Sequence, residues 1–264
     1  EREAHLRSLL IPEVRRRDKS IAFVRMHARF SAPDCHELLN TLTYDRTYII
    51  DLTGKTPEKI AAAMPKEGRR GIKRAERAAK EAGVVIKDET GMDRATFDEV
   101  YRVLEETSER DGFTPHSADV YWTMLTTLGE QARMYVARLD GRPVAWVLVT
   151  VNGISAVAYY GASTTADRAT HAAEATDWYA ACDLAAKGYE GYDFMGAGST
   201  RVPELYSVGM YKKRFAQHPT EVDGAWDVPV QRPVFEALVA AKKAKHLVRK
   251  ATVVAAKASE AIKR

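Results

Sequence analysis

Residues 132–160, ARMYVARLDGRPVAWVLVTVNGISAVAYY, read as three consecutive strands joined by two tight turns. Asp140-Gly141 and Asn152-Gly153 are the dipeptides that close two-residue hairpins, because they tolerate the positive φ such turns demand. The segments between them, Ala132 to Leu139, Val144 to Val151 and Ile154 to Tyr160, are rich in β-branched and aromatic residues. The outcome is an antiparallel meander. Upstream of it, helical periodicity runs over 66–82, 94–110 and 117–128, with a strand at 84–86. Gly83 follows the first of these helices at the position where a left-handed cap is wanted. Downstream, a helix over 172–187 ends at Gly188 and a strand covers 191–195. Further out lie a helix over 4–19, strands at 21–26 and 47–52, and a final strand near Trp226. After Pro233 one long helix carries an apolar stripe from Ala244 through Leu247, Val248, Ala251 and Val254 to Ile262. A stripe that long needs a packing partner, most simply the protein's own body. Helices interleaved with a meander in this order give an α+β fold with a mixed sheet.

The chain has 264 residues, 45% hydrophobic and 29% charged, which excludes a disordered or collagen-like protein. No apolar run reaches the ~20 residues of a membrane span, and Glu1-Arg2-Glu3 does not read as a signal peptide. Cys35 and Cys182 make no disulfide framework, so a reducing cytoplasm is expected. The net charge of +4 is unevenly spread: +5 over 66–80, +7 over 231–264 and −8 on the remainder. Basic helices on an acidic body suit polyanionic partners, although charge runs are often merely solvated faces.

No Cys or His pair has zinc-ligand spacing, so no metal is expected. Gly196-Ala197-Gly198-Ser199-Thr200 follows a strand and faintly resembles an anion-cradling loop, but it lacks the third glycine and an immediate helix. No G-x-S-x-G elbow occurs. Tyr159 and Tyr160 close the third meander strand, where alternation sends one to the core and leaves the other for a cleft. Met210-Tyr211-Lys212-Lys213-Arg214-Phe215 sets a lysine pair between aromatics. That is either a solvated edge with snorkelling lysines or a cation held in a partly apolar cleft, where it would stabilise a developing oxyanion.

Five pieces in order resemble the Fem-type (FemABX) peptidoglycan bridge aminoacyltransferases. They are Thr47 to Leu52, Arg69 to Ala75 with Gly83-Val84, Glu109 to Phe113, Tyr159 to Ser163, and Tyr192 to Gly196. The stretch Leu205 to Val230 resembles that family's end, with Tyr211-Lys212 where Phe-Lys is usual. The resemblance implies acetyltransferase-like (GNAT) lobes with mixed, mostly antiparallel sheets, one complete and one partial, and a long C-terminal helix. Residues 1–54 would be part of a first lobe, as in a fragment or a shortened relative. Residues 55–230 would be the complete second lobe, and 231–264 a basic amphipathic helix. The family's coiled-coil insertion has no counterpart.

The implied reaction moves an amino acid from aminoacyl-tRNA, a co-substrate with no further cofactor, to an amine of a peptidoglycan precursor. The acceptor would be UDP-MurNAc-pentapeptide or lipid II, reached in the cytoplasm, with peripheral membrane contact if it is lipid-linked. By alignment Lys212 is the oxyanion stabiliser and Tyr211 its positioning neighbour. Tyr160 and Tyr121 match family tyrosines near the precursor, and His116 falls near a phosphate-binding arginine. Ala158 departs from a tyrosine. Asp193 and the substrate itself are the proton acceptors in view, and the sequence does not choose between them. Lys66, Arg69, Arg70, Lys73 and Arg77 form a basic helix face suited to tRNA or to the precursor's diphosphate. The competing functions are tRNA-dependent aminoacyl transfer in peptide natural-product synthesis, acyl transfer from acyl-CoA, and a non-catalytic RNA-binding module.

Overall fold

The computed structural model describes residues 1–29, 32–39 and 43–245, and these divide into two units. One consists of Glu1–Asp45 with Val222–Arg264, the other of Arg46–Glu221. The first begins with α1 (Arg2–Arg17) and β1 (Phe23–Ala28).

The second unit carries, in chain order, β2 (Arg46–Thr47), β3 (Ile49–Asp51), α2 (Pro57–Ala63), α3 (Lys66–Ala82), β4 (Val85–Asp88), α4 (Arg94–Asp111) and α5 (Ala118–Leu128). The meander follows as β5 (Ala132–Leu139), β6 (Arg142–Asn152) and β7 (Ser155–Ser163), then α6 (Ala172–Ala186), β8 (Gly191–Asp193), α7 (Tyr206–Lys212) and β9 (Thr220–Glu221). Six strands form one sheet in the order β3-β8-β7-β6-β5-β4, antiparallel except where β7 meets β8. Asp140, Gly141 and Gly153 take the positive φ that the hairpin dipeptides announced. The sheet is covered on both faces, which is why β6 reads as almost continuously apolar. Val147, Val149 and Val151 pack with Trp178, Ala181 and Leu184 of α6 and with Ile72 of α3. Trp146 and Leu148 pack on the other side with Phe97, Val100 and Leu104 of α4 and Tyr121 and Leu125 of α5.

The first unit continues with β10 (Gly224–Pro229) and a helix over 232–245. β1 and β10 pair antiparallel along their whole length, from Phe23 opposite Pro229 to Ala28 opposite Gly224. Across this pair Arg25 donates to the fully buried Asp227 at 2.7 and 3.0 Å, and the Leu39 N–H donates to the same carboxylate at 2.9 Å. Phe235 stands edge-on to Phe23 at 5.6 Å, fixing the start of the terminal helix. The apolar stripe expected beyond residue 245 lies outside the described residues.

The boundaries expected at 54/55 and 230/231 therefore move to 45/46 and 221/222. Ile49–Asp51 bonds to β8 and so belongs to the six-stranded sheet, while Gly224–Pro229 belongs with β1. Both assignments rest on backbone pairing between strands far apart in sequence, which local patterning does not encode. Among the described residues no helix is long and apolar enough to cross a membrane.

Candidate active site

β7 and β8 run parallel for only three residue pairs, ending at Val157 opposite Asp193. Beyond that point no ladder joins them, and a cleft of about 930 Å³ opens between the two strands. Its walls come from β7, from Phe194 and Met195 after β8, from the first half of α6, from α7 and from the end of α4. All of these lie within the second unit.

The alternation expected for Tyr159 and Tyr160 fails here, and a β-bulge is the reason. Leu148 pairs with Tyr160 and Val149 with Ala158, so Tyr159 is an extra residue without a cross-strand partner. The bulge brings both tyrosines to the cleft, their rings edge to face at 4.9 Å. Tyr160 is braced from behind by Tyr121, whose ring stands at 4.7 Å. Burial pushes the Tyr160 phenol up, and its two tyrosine neighbours add to the shift. Tyr121 is buried, accepts the His116 N–H at 3.3 Å, and does not line the cleft. His116 lies on an exposed loop outside the lining, its carbonyl taking the Tyr101 hydroxyl at 2.6 Å. Tyr160 therefore faces the cleft, whereas Tyr121 and His116 support it.

Lys212 ends α7 and sits in the cleft wall, half-buried, while Lys213 beside it is exposed. Its ammonium donates to the carbonyls of Gly196 at 2.7 Å and Met195 at 3.1 Å. Burial pushes the ammonium down to about 8, opposed by Asp193 and then by Asp177. Of the two readings of the lysine pair, the cleft cation describes Lys212 and the solvated edge describes Lys213.

Asp193 builds this arrangement without joining the cleft. Its carboxylate accepts the Thr47 hydroxyl and, at 2.7 Å, the Met195 N–H. That bond holds Met195 in the left-handed region at φ +58°, unusual for a side chain with a Cβ, and so presents two successive carbonyls to Lys212. Asp193 is absent from the lining, so this residue, read from sequence as a proton acceptor in contact with substrate, takes a positioning role. The glycines that suggested an anion loop are explained by packing. A Cβ on Gly198 would come within 2.6 Å of the Tyr206 backbone, and one on Gly209 within 3.2 Å of the Gly198 nitrogen. They let the start of α7 lie against the loop.

Tyr211 does not touch Lys212 through its hydroxyl. It donates to Asp177 on α6, at 2.5 Å, and Tyr192 donates to the other oxygen of the same carboxylate at 3.4 Å. Burial raises the Asp177 carboxyl to about 6, against the pull of the tyrosines and Lys212 and with a push from Glu174. Burial, then the Asp177 charge, holds both phenols well above their ordinary range, so they remain donors. Sequence reasoning missed Asp177, since an aspartate in an alanine-rich helix gives no signal of what faces it. It also missed Arg110, which lines the cleft, donates to the Ser163 carbonyl at 2.8 Å and grips Asp111 in a bidentate pair. Among the described residues the buried Trp146 indole N–H, also in the cleft wall, has no hydrogen-bond partner. No group of three or more His, Cys, Asp or Glu fit to hold a metal occurs among them.

The basic face of α3 divides in two. Lys66, Arg70, Lys73 and Arg77 are exposed, and Arg77 makes only a loose 3.9 Å pair with Glu81. Arg69 turns back, donating to the carbonyls of Met64 at 2.6 Å and Ala62 at 3.2 Å, and so ties off the end of α2. It is a capping residue and leaves the proposed contact face.

A mixed sheet whose one parallel pair splays beside a crossover helix, with the cleft at the split, is the acyltransferase fold of the GNAT class. The family described as acetyltransferase (GNAT) domain matches residues 66–213, and the chain belongs to it. Among solved structures, FemX is similar with a TM-score of 0.64 at 15% identity over 81% of this chain and 68% of that chain. The C-terminal domain of a chain assigned as a lysylphosphatidylglycerol synthetase, from Agrobacterium fabrum, is similar with a TM-score of 0.53 at 15% identity, over 75% of this chain and 65% of that one. L-PGS from Bacillus licheniformis follows at 0.50 and 13% identity, over 76% and 66%. The chain thus spans about two thirds of the length of each, and at these identities the likeness is one of fold. No curated protein matches the sequence significantly.

Proposed function

We propose that the protein transfers an aminoacyl group from aminoacyl-tRNA to an amine of a peptidoglycan precursor, UDP-MurNAc-pentapeptide or lipid II. The observation that carries this is Lys212, a cation set in the wall of an acyltransferase cleft by two backbone carbonyls. An aminoacyl ester is already activated, so the protein's task is to orient a neutral amine and stabilise the tetrahedral oxyanion. In this reading the ammonium serves the second part. Tyr160 and Tyr159 offer the acceptor an aromatic wall. The Fem-type sequence pieces and the fold shared with FemX support the same substrates. The reaction would take place in the cytoplasm, at the inner face of the membrane for a lipid-linked acceptor. The test is transfer of labelled amino acids from charged tRNA to each precursor, with Lys212→Ala as the control. Phosphatidylglycerol vesicles serve as a third acceptor, because one similar fold belongs to a chain assigned as a lysylphosphatidylglycerol synthetase. Lack of product with every precursor would sink the cell-wall assignment.

The exposed cations of α3 provide the tRNA contact in this reading. Phosphate neutralisation releases counterions, so affinity should fall steeply with salt and depend little on tRNA sequence. Reversing Lys66, Arg70, Lys73 and Arg77 to glutamate is expected to weaken tRNA binding at least ~10-fold at ~0.1 M salt. It should also flatten the slope of log K against log salt by about 3, at ~0.7–0.9 per lost contact. Arg69→Glu should instead lower stability, because its partners are the carbonyls that end α2. Fluorescence titration across a salt series checks both, and an unchanged slope in the quadruple variant removes α3 from the interface.

A further inference from the structure

If the reaction is the one proposed above, its amine must give up a proton, and the cleft offers few groups to take it. The lining residues include two carboxylates, Asp111 and Asp177. Asp111 is committed to Arg110 by paired bonds of 2.8 and 3.0 Å, and that guanidinium holds its carboxyl below the usual range. Asp193 lies outside the lining, and one of its oxygens takes both the Thr47 hydroxyl and the Met195 N–H. Among the described residues Asp177 makes no ion pair, and its oxygens bond to two hydroxyls instead. These, from Tyr211 and Tyr192, fix the carboxylate plane and leave it further lone pairs. Lys212, one residue from Tyr211, lines the same cleft, so the oxyanion donor and this carboxylate are set by adjacent residues of one helix.

We propose that Asp177 is the proton acceptor of the transfer, taking the proton of the attacking amine and passing it to the departing hydroxyl. The C–N bond forms as the amine nitrogen attacks the ester carbon, and the carbonyl electrons become the oxyanion beside Lys212. The nitrogen's proton moves to Asp177. The oxyanion collapses, the bond from carbon to the ribose oxygen breaks, and that oxygen receives the proton from Asp177. Amide and free ribose hydroxyl are the products, with no net proton gained or lost by the carboxylate. Tyr211 and Tyr192 remain protonated throughout and act as donors that orient it.

The charged and titratable groups acting on Asp177 are Tyr211, Tyr192, Glu174 and Lys212. With the carboxyl near 6 and the Lys212 ammonium near 8, kcat/KM should rise through the first value and fall through the second. Asp177→Asn keeps the shape and an oxygen for the tyrosines. It is expected to lower kcat by about 10²–10³-fold, to hold both KM values within about threefold, and to abolish the rise near pH 6. Tyr211→Phe removes a donor that lowers the Asp177 carboxyl, so the rise should move to higher pH while remaining present. That second variant tests the assignment even if Asp177→Asn does not fold. Wild-type transfer together with an unaltered pH profile in either variant overturns the assignment alone. Absence of transfer by the wild type from any charged tRNA overturns it along with the reaction on which it rests.

Discussion

Lys212→Ala is expected to lower kcat for aminoacyl transfer by about 10²–10³-fold, with substrate KM values little changed. The reasoning starts from what the ammonium does in the resting protein. It has three donors, and two are occupied by the carbonyls of Gly196 and Met195, which leaves one for the cleft. A donor aimed at charge that develops only in the transition state lowers the barrier without tightening ground-state binding, so the loss belongs in kcat. The fold should survive the change, because two carbonyls losing one partner cost about 1–3 kcal/mol in all. At ~2–4 °C per kcal/mol for a chain of this size, Tm should fall by no more than ~12 °C. Lys212→Arg should not rescue: a planar fork cannot reproduce a tetrahedral donor held between two successive carbonyls. The pH dependence carries the same signature. Because burial pushes the ammonium down to about 8, its protonated and active form is lost as pH rises through that value. Lys212→Ala should lack this descending limb at its residual rate. A variant that keeps wild-type kcat, measured by labelled transfer, would remove Lys212 from the chemistry.

Much of the second unit is legible in its sequence, since its signals are local. Two turn dipeptides fix the meander, Gly83, Gly112 and Gly188 close helices in the left-handed conformation, and the apolar periods of α3 and α4 mark the faces they bury. The site is legible only in part. The tyrosine pair and the lysine pair stand out in the residues themselves, and resemblance picks Tyr160 and Lys212, both of which line the cleft, but no local pattern distinguishes Lys212 from Lys213. The bulge at Tyr159 is set by the register of a neighbouring strand, and a single strand's alternation carries no trace of it. Asp177 is defined by Tyr192 and Tyr211, which arrive from other elements, and Arg69 by the carbonyls of the preceding helix. The pairing of β1 with β10 joins residues about two hundred positions apart. What the sequence conceals is the tertiary partner, and the chemistry here consists of tertiary partners.

Gly68→Ala and Gly71→Ala, one helical turn apart on α3, should change stability in opposite directions. On propensity alone both should stabilise, because glycine in a helix interior costs ~0.5–1 kcal/mol relative to alanine. Around Gly71 there is room, since a Cβ there meets nothing within 4 Å, and the gain should be realised. Gly68 is buried, and its Cβ would lie 1.8 Å from the Arg214 carbonyl oxygen and 2.9 Å from the carbonyl carbon. Both are backbone atoms, so no rotamer change relieves the overlap, and either α3 or the chain at 213–215 must move. That segment is anchored by the buried Phe215, whose ring stacks on Phe194 at 4.6 Å, so displacement also opens the core beneath the sheet. We expect Gly68→Ala to destabilise by ~3 kcal/mol or more, at the upper end of overpacking costs. Gly71→Ala should stabilise by ~0.5–1 kcal/mol. Urea unfolding of the two variants measures both. Activity separates them further: Arg214 lies two residues beyond Lys212, so a shift of this segment withdraws the ammonium from the Met195 and Gly196 carbonyls, whereas Gly71→Ala leaves it in place. Gly68→Ala should therefore lose transfer activity even well below its unfolding temperature, and full activity at wild-type stability would show that the contact between α3 and the turn after α7 is looser than these distances.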